Sequence, residues 1–152
     1  MKTKMTLIVA ALFAASAATA GNGPAYPSAD LAKFVLEKLD ASSLPLEFRP
    51  QKEKGKKTFA EYGFPTQTID ETEASVQSGG NSKHLNIKVL EATSSGIFVC
   101  IADGQNPAEA RNQSVVLLKR KDSNALLKRH ITFREFSSCP SIGGTDSSGD
   151  SY

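Results

Sequence analysis

Hydrophobic positions recur at helical spacing in one segment early in the chain, "SADLAKFVLEKLD" (residues 28–40). A helix with one apolar side is predicted there, because positions i, i+3, i+4 and i+8 share a helix face. The residues expected on that face are Leu31, Phe34, Val35 and Leu39. The residues expected to face water are Lys33, Glu37 and Asp40. Ser28 is the expected N-cap, since its hydroxyl can accept from a free amide of the first turn.

Two later segments show strand patterns. In "KHLNIKVLEA" (residues 83–92) apolar and polar residues alternate, with Leu85, Ile87 and Val89 on one side. This alternation is typical of a half-buried antiparallel strand, with His84, Asn86 and Lys88 on the polar side. "GIFVCIAD" (residues 96–103) is apolar on both faces, which predicts a central position in the sheet.

The remaining strand signals are weaker. "TFAEYGF" (58–64) and "TQTIDETEASVQ" (66–77) predict one or two strands around a turn at Gly63–Pro65. "SVVLLKRKDSNALLKRHITFREF" (114–136) predicts two strands around a turn at Asp122–Asn124. We expect this hairpin to pair Leu117 with Ile131 and Val115 with Phe133, which gathers four apolar side chains on one face.

These elements predict an α+β domain in which one N-terminal amphipathic helix packs on an antiparallel sheet of four to six strands, tied by one disulfide. A helix followed by such a sheet resembles the element order of the cystatin-like architecture, and the resemblance concerns that order alone. The expected organisation is a signal peptide at 1–20, a flexible lead-in at 21–27, one domain at 28–140 and a disordered tail at 141–152. Loops are expected at "SGGNS" (78–82) and "DGQNPAEARN" (103–112).

The first twenty residues, "MKTKMTLIVAALFAASAATA", have the organisation of a secretory signal peptide. Lys2 and Lys4 precede an uncharged apolar run, and small residues end at Ala20, where cleavage is expected. The run is too short to span a bilayer comfortably, so we expect an exported product, periplasmic or extracellular, without a transmembrane segment. These two lysines account for the net charge of +2, and the formally neutral remainder argues against nucleic acid as a partner.

The two cysteines, Cys100 and Cys139, have three possible roles. An even cysteine count in an exported chain favours a disulfide. Alternatively, Cys100 is a nucleophile activated by His84 or His130, the two histidines of the chain. The third alternative is a metal site of both cysteines and both histidines, which lacks the close Cys-x-x-Cys spacing of most such sites. We predict the disulfide, with no metal and no cofactor.

Basic residues gather at one end of the predicted hairpin, and they are the candidate site for an anionic ligand or partner. They are Lys119, Arg120, Lys121, Lys128 and Arg129. Like charges opposed across strands are destabilising, so a binding use would explain the cluster. Protection of an exposed sheet edge against aggregation would explain it equally. A second run is interpreted as a solvated loop: Lys52, Lys54, Lys56 and Lys57.

Motifs for catalysis are weak. "GKKT" (55–58) lacks the upstream glycine of a phosphate-binding loop, and no Gly-x-Ser-x-Gly elbow is present. Asp70, Glu71 and Glu73 are interpreted as a solvated face rather than an acid–base pair. The sequence therefore favours a secreted, non-enzymatic binding domain, acting as an inhibitor of or adaptor to another secreted or envelope protein, or as a binder of an anionic surface polymer. The alternatives are a small secreted hydrolase with unassigned residues and a structural envelope protein.

Overall fold

A computed structural model describes residues 25–77, 84–104 and 109–142 of the chain. Several sequence predictions fall outside these residues. They are the signal peptide with its cleavage site, the lead-in up to residue 24, the loop at 78–82, the middle of the loop at 103–112, and the tail from residue 143. The described elements are α1 (Leu31–Lys38), a 3₁₀ turn (Ala41–Ser43), β1 (Thr66–Thr68), β2 (Glu73–Gln77), β3 (His84–Thr93), β4 (Gly96–Asp103), β5 (Gln113–Lys119) and β6 (Lys128–His130).

The strands of the described chain form one six-stranded antiparallel sheet in the order β1-β2-β3-β4-β5-β6. Every strand is therefore hydrogen-bonded to its neighbours in sequence. β4 lies inside the sheet between β3 and β5, and its residues from Gly96 to Ala102 are buried, which confirms the central position predicted for "GIFVCIAD". A bulge between Val89 and Glu91 shifts the pairing of β3 with β4. Together with the short helix, the sheet places the chain broadly in the α+β class.

The helix packs on one face of the sheet, here called the helix face, and contacts β1, β2 and β3. Its buried residues are Ala32, Val35, Leu36 and, at the C-cap, Leu39. They join a core that includes Ile87, Ile97, Val99, Ile101, Val116 and Leu118 of the sheet. Burial of each Val, Leu or Ile side chain of this core contributes about 1.5–3 kcal/mol. An isolated helix of eight residues is not stable in water, so α1 depends on this packing against the sheet. No helix in the described part of the chain is long and apolar enough to cross a membrane.

The ends of α1 differ from the sequence expectation. Asp30, not Ser28, is the N-cap, in a left-handed conformation with φ 52° and without a side-chain capping bond. Asp40, expected to face water, is buried because its carboxylate accepts hydrogen bonds from the amide and hydroxyl of Ser42. Asp40 therefore caps the 3₁₀ turn, a common use of a short acidic side chain. Leu31 and Phe34 are half-buried at the margin of the apolar face.

The strand expected at 58–64 is wrong, because these residues form a tight turn. The Tyr62 amide donates to the Thr58 carbonyl, and the Phe64 amide donates to the Phe59 carbonyl. Thr58 and Glu61 form a capping box: the Glu61 carboxylate accepts from the Thr58 amide at 2.8 Å, and the Glu61 amide donates to the Thr58 hydroxyl at 3.3 Å. Only the second segment, 66–77, supplies strands, and these are the hairpin of β1 and β2.

The predicted register of β5 with β6 is also wrong. Leu117 lies opposite His130, not Ile131, and Lys119 lies opposite Lys128. β6 ends at His130, so Val115 does not pair with Phe133, which is 95% exposed. The one-residue shift turns Leu127 to the helix face, where it is fully buried in the core and bridges Leu39.

The opposite face of the sheet, here called the disulfide face, is covered by the C-terminal arm (residues 131–142). The Phe136 ring lies 5.5 Å from that of Phe98 on β4, and Cys139 is bonded to Cys100. Ile142 and Gln113 exchange two backbone hydrogen bonds of 2.9 Å. β4 is consequently buried on both faces although the helix covers only one of them.

Candidate functional site

Cys100 and Cys139 form a disulfide with their Cα atoms 5.7 Å apart, as the sequence predicted. Both sulfur atoms are committed to this bond, so neither cysteine is a thiolate nucleophile or a metal ligand here. His84 and His130 lie on β3 and β6, with two strands of the sheet between them. Among the residues described by the structure, no group of three His, Cys, Asp or Glu side chains is arranged to hold a metal ion.

The predicted basic cluster is divided by the structure into two parts. Lys119 and Lys128 are brought directly opposite each other on β5 and β6, and Arg129 is the next residue along β6. Lys121, Lys128 and Arg129 are exposed, and none makes an ion pair with a carboxylate of the described residues. These side chains remain candidates for contact with an anionic group.

Arg120, unlike the exposed basic residues of the cluster, is bound by other parts of the domain. Its guanidinium donates hydrogen bonds to the carbonyl oxygens of Ala25 and Ser123. It also lies over the rings of Tyr26 and Phe34, at 5.2 and 5.1 Å from their centroids. These contacts bind the segment before α1 to the β5–β6 connection, so Arg120 has a structural role within the domain.

The sequence reading missed two exposed apolar side chains next to the basic residues. Ile131 is 76% exposed and Phe133 is 95% exposed, immediately after β6. We call this edge segment the β6 strip, and it consists of Lys128, Arg129, His130, Ile131 and Phe133. Within β6 successive side chains point to opposite faces of the sheet, so the strip is the rim of the sheet and not one of its faces. The predicted register places both apolar residues on one apolar face of the hairpin with Leu117 and Val115, and that register is wrong. A short edge strand followed by "ITF" was the signal in the sequence that these side chains lie at the margin of the sheet.

The outer edge of β6 is partly closed by the helix side of the domain. The Leu127 amide donates to the Lys38 carbonyl at 2.7 Å, and the Arg129 amide donates to the Ser43 hydroxyl at 3.0 Å. Backbone pairing with another chain is therefore blocked over residues 127–129. A partner at the β6 strip would be recognised mainly by the side chains.

One residue of the second basic run, Lys56, and one of the acidic residues, Asp70, have local roles. Lys56 pairs with Glu53 at 2.6 Å, and its Nζ lies 5.8 Å from the centroid of the Tyr62 ring. Asp70 accepts from the amide and hydroxyl of Thr72 and from the amide of Glu73, so it shapes the β1–β2 turn. Hydrogen bonds from Thr72, followed by that from Glu73, lower the pKa of Asp70.

A cavity of about 390 Å³ lies beside the sheet, between the loop that carries Glu47 and Arg49 and the turn at 58–64. Its apolar lining comes from Phe48, Pro50, Phe59, Tyr62, Phe64, Val76 and Leu85. Its polar lining comes from Glu47, Arg49, Gln51, Glu53, His84 and Asp103. This cavity leaves little trace in the sequence, because its aromatic residues lie in loops without a periodic pattern.

Asp103 at the end of β4 is held by the loop that follows it. Its carboxylate accepts from the amides of Arg111 and Asn112 at 2.8 and 2.5 Å and from the Asn112 side chain at 2.7 Å. Burial alone would raise the pKa of Asp103, but these hydrogen bonds outweigh it and hold the pKa below its ordinary value. Asp103 is therefore ionised at neutral pH.

Comparison of the chain with protein-family models, curated proteins and solved structures finds no significant match. The cystatin-like element order gains no support from these comparisons and stays a prediction. Any assignment of function rests on the surfaces and the cavity described above.

Proposed function

We propose that this chain is an exported, non-enzymatic binding domain that contacts an acidic partner protein through the β6 strip. The observation that carries the proposal is the exposure of Ile131 and Phe133, at 76% and 95%, beside Lys128 and Arg129. Large apolar side chains next to unpaired cations favour a protein as the partner. The apolar contact excludes water, and the charges select and steer the partner.

Export is supported by the predicted signal peptide and by the disulfide between Cys100 and Cys139, which is typical of oxidising compartments. The opposition of Lys119 and Lys128 costs stability in the free domain. An acidic group bound between them would remove that repulsion. This repulsion in the free domain supports a role of the charges in recognition.

Two other functions make different demands on the structure. An anionic polymer would use the cations of the strip and would be indifferent to Ile131 and Phe133. A hydrolase acting through a serine, threonine or cysteine nucleophile would need that residue at its site, whereas the described lining of the cavity contains no Ser, Thr or Cys. Comparing peptide binding with polymer binding distinguishes an acidic partner protein from an anionic polymer.

The experiment measures binding of a synthetic peptide of alternating Glu and Val residues, and of dextran sulfate, by biolayer interferometry. Three double variants are compared: Lys128→Ser with Arg129→Ser, Ile131→Ser with Phe133→Ser, and, as the control, Lys52→Ser with Lys54→Ser. The control also removes two exposed positive charges, but from a different part of the surface. Arg120 stays unchanged, since its loss would disturb the fold.

We expect each β6-strip variant to weaken peptide binding by about tenfold or more, and the control to change it by less than twofold. Higher salt should weaken binding through the charges. Tight binding of dextran sulfate that is insensitive to Ile131→Ser with Phe133→Ser would contradict the protein partner and favour a polymer. Self-association of the free domain in sedimentation, abolished by the same apolar variant, would instead favour the structural envelope role.

A further inference from the structure

The cavity beside the sheet is a second surface with the features of a ligand site, and it is distinct from the β6 strip. Its volume, about 390 Å³, lies at the lower end of the range of roughly 300–1,000 Å³ for small-molecule sites. Phe48, Phe59, Tyr62 and Phe64 give it an aromatic wall, and the polar side chains are grouped around them. This combination fits a small ligand with an apolar body and one polar group.

Tyr62 adds an unmet hydrogen bond to this wall. The residue is 8% exposed and lines the cavity, and its hydroxyl is shielded from water without a hydrogen-bond partner among the described residues. The ring itself is fixed by stacking on Phe64, with centroids 5.5 Å apart. A buried hydroxyl without a partner is unfavourable. A small rotation of the Tyr62 side chain towards the cavity would let a ligand group bond to this hydroxyl and remove that cost.

The charges of the lining determine which polar group fits. Arg49 is held by protein, because its Nε and Nη2 both donate to the carbonyl oxygen of Leu44, at 3.0 and 2.8 Å. Glu53 is paired with Lys56. Asp103 is ionised but bonded to neutral donors, and Glu47 is exposed without an ion pair in the described chain.

The balance of these charges is negative. Among the charged residues that line the cavity, Glu47, Glu53 and Asp103 outnumber the cation Arg49. Lys56 pairs with Glu53 from outside the lining, and aromatic faces attract cations as well. Lys56 Nζ lies 5.8 Å from the centroid of the Tyr62 ring, so one ring of this wall already has a positive charge beside it. We infer that this cavity binds a small amphipathic organic cation, with its apolar body against Phe48 and Phe59 and its ammonium group directed towards Glu47 and the Tyr62 hydroxyl.

Three probes of matched size test the charge preference by ¹H–¹⁵N NMR titration: phenethylammonium, phenethyl alcohol and phenylacetate. We expect phenethylammonium to bind with a dissociation constant on the order of 1 mM, and to shift amides of the cavity lining. The neutral alcohol and the carboxylate should bind at least threefold and tenfold more weakly, respectively. Phenylacetate binding as tightly as phenethylammonium would overturn the inference, as would the absence of shifts for all three probes at 20 mM.

Two variants test the assigned side chains. Glu47→Gln should weaken phenethylammonium binding by about threefold, with Glu37→Gln, an exposed carboxylate on α1, as the unaffected control. Tyr62→Phe should weaken binding by about fivefold while leaving the melting temperature unchanged or higher, because it removes an unsatisfied hydroxyl. A Tyr62→Phe variant with a lower melting temperature and normal affinity would contradict the role given to that hydroxyl. Peptide binding at the β6 strip should be unchanged in these variants, so the two proposals fail independently.

Discussion

The guanidinium of Arg120 donates a hydrogen bond to the carbonyl oxygen of Ala25, 95 residues earlier in the chain. The same group lies over the rings of Tyr26 and Phe34 and donates to Ser123 at 2.8 Å. One side chain therefore connects the segment before the helix to the end of β5. Its planar fork suits this arrangement, because it can stack on a ring and donate in several directions at once.

Replacing Arg120 by Lys is expected to destabilise the domain by about 1–2 kcal/mol, since an ammonium group cannot reproduce both the ring contacts and the two carbonyl contacts. Urea unfolding of the purified domain measures this difference. Lys121→Ala removes the neighbouring exposed charge and should change the free energy of unfolding by less than about 0.5 kcal/mol. Equal effects of the two substitutions would show that Arg120 contributes only its charge.

Gly96 begins β4 at the turn that follows β3, and its backbone leaves no space for a side chain. A Cβ atom built there would lie 2.7 Å from the carbonyl oxygen of Leu118 and 2.8 Å from Cδ1 of Leu117, at φ 156°. Gly96→Ala is therefore expected to destabilise the domain by about 3 kcal/mol, because the backbone of β5 must move away. Thermal unfolding followed by circular dichroism provides the measurement.

Gly55→Ala is the matched control for this substitution. Gly55 also has a positive φ, 86°, but a Cβ atom there meets no atom within 4 Å. The cost at Gly55 should be about 1 kcal/mol, which is the conformational strain alone. If both alanine variants lose the same stability, the close contact of Gly96 with β5 is not a constraint on the fold.

The parts of the fold that the sequence predicts well are those in which a single pattern determines the structure. "GIFVCIAD" is apolar at every position but the last, so only an interior strand satisfies it, and β4 is interior. The register of β6 is different, because the apolar residues around the turn fit either of two registers one residue apart. The observed register turns Leu127 towards Leu39, which bridges it from a distant part of the chain. Local alternation carries no information about such a contact.

The turn at 58–64 and the candidate sites are harder to predict from the sequence, for related reasons. The capping box of Thr58 and Glu61 was visible as Thr-x-x-Glu, but alternation in the same seven residues suggested a strand. Arg120 belonged to the basic cluster by sequence distance, yet its partners Tyr26 and Phe34 lie near the start of the described chain. The cavity joins residues of two loops and three strands, and its existence depends on how these elements pack.

Asp103 provides a test of stability against pH. Three hydrogen bonds from Arg111 and Asn112 outweigh burial and lower its pKa in the folded state. A carboxylate whose folded pKa is depressed contributes stability above its unfolded pKa, about 3.9, and that contribution is lost as the pH falls through the folded pKa. Asp103→Asn is expected to lose about 1–2 kcal/mol at pH 7. The difference from wild type should shrink below about pH 4.

Urea unfolding at a series of pH values from 7 to 2 measures this difference directly. Glu37→Gln serves as the control, since Glu37 is an exposed carboxylate on α1. Its stability should follow that of the wild type throughout the series. A gap between Asp103→Asn and wild type that stays constant down to pH 2 would mean that the loss comes from packing of the loop and not from the ionised carboxylate.

The disulfide fastens the C-terminal arm to β4, and its removal tests what holds the arm in place. The bond closes a loop between residues 39 positions apart, for which the chain-entropy relation gives about 4 kcal/mol. Replacing Cys100 and Cys139 together by Ser should therefore lower the free energy of unfolding by about that amount. In hydrogen exchange, the amides of Ile142 and Cys139 should lose protection before those of β4, because the remaining contacts of the arm are few.

Phe136→Ala tests one of the non-covalent contacts that hold the arm. It removes the ring that lies 5.5 Å from Phe98 but keeps the covalent link. We expect a loss of about 1–2 kcal/mol, lower than for a fully buried Phe because Phe136 is half-buried, with the Ile142 amide still protected. If the double Ser variant retains both its stability and the protection of Ile142, the aromatic contact and the ion pair of Arg134 with Glu91 at 2.5 Å suffice to hold the arm. In that case the disulfide protects an arm that is already folded.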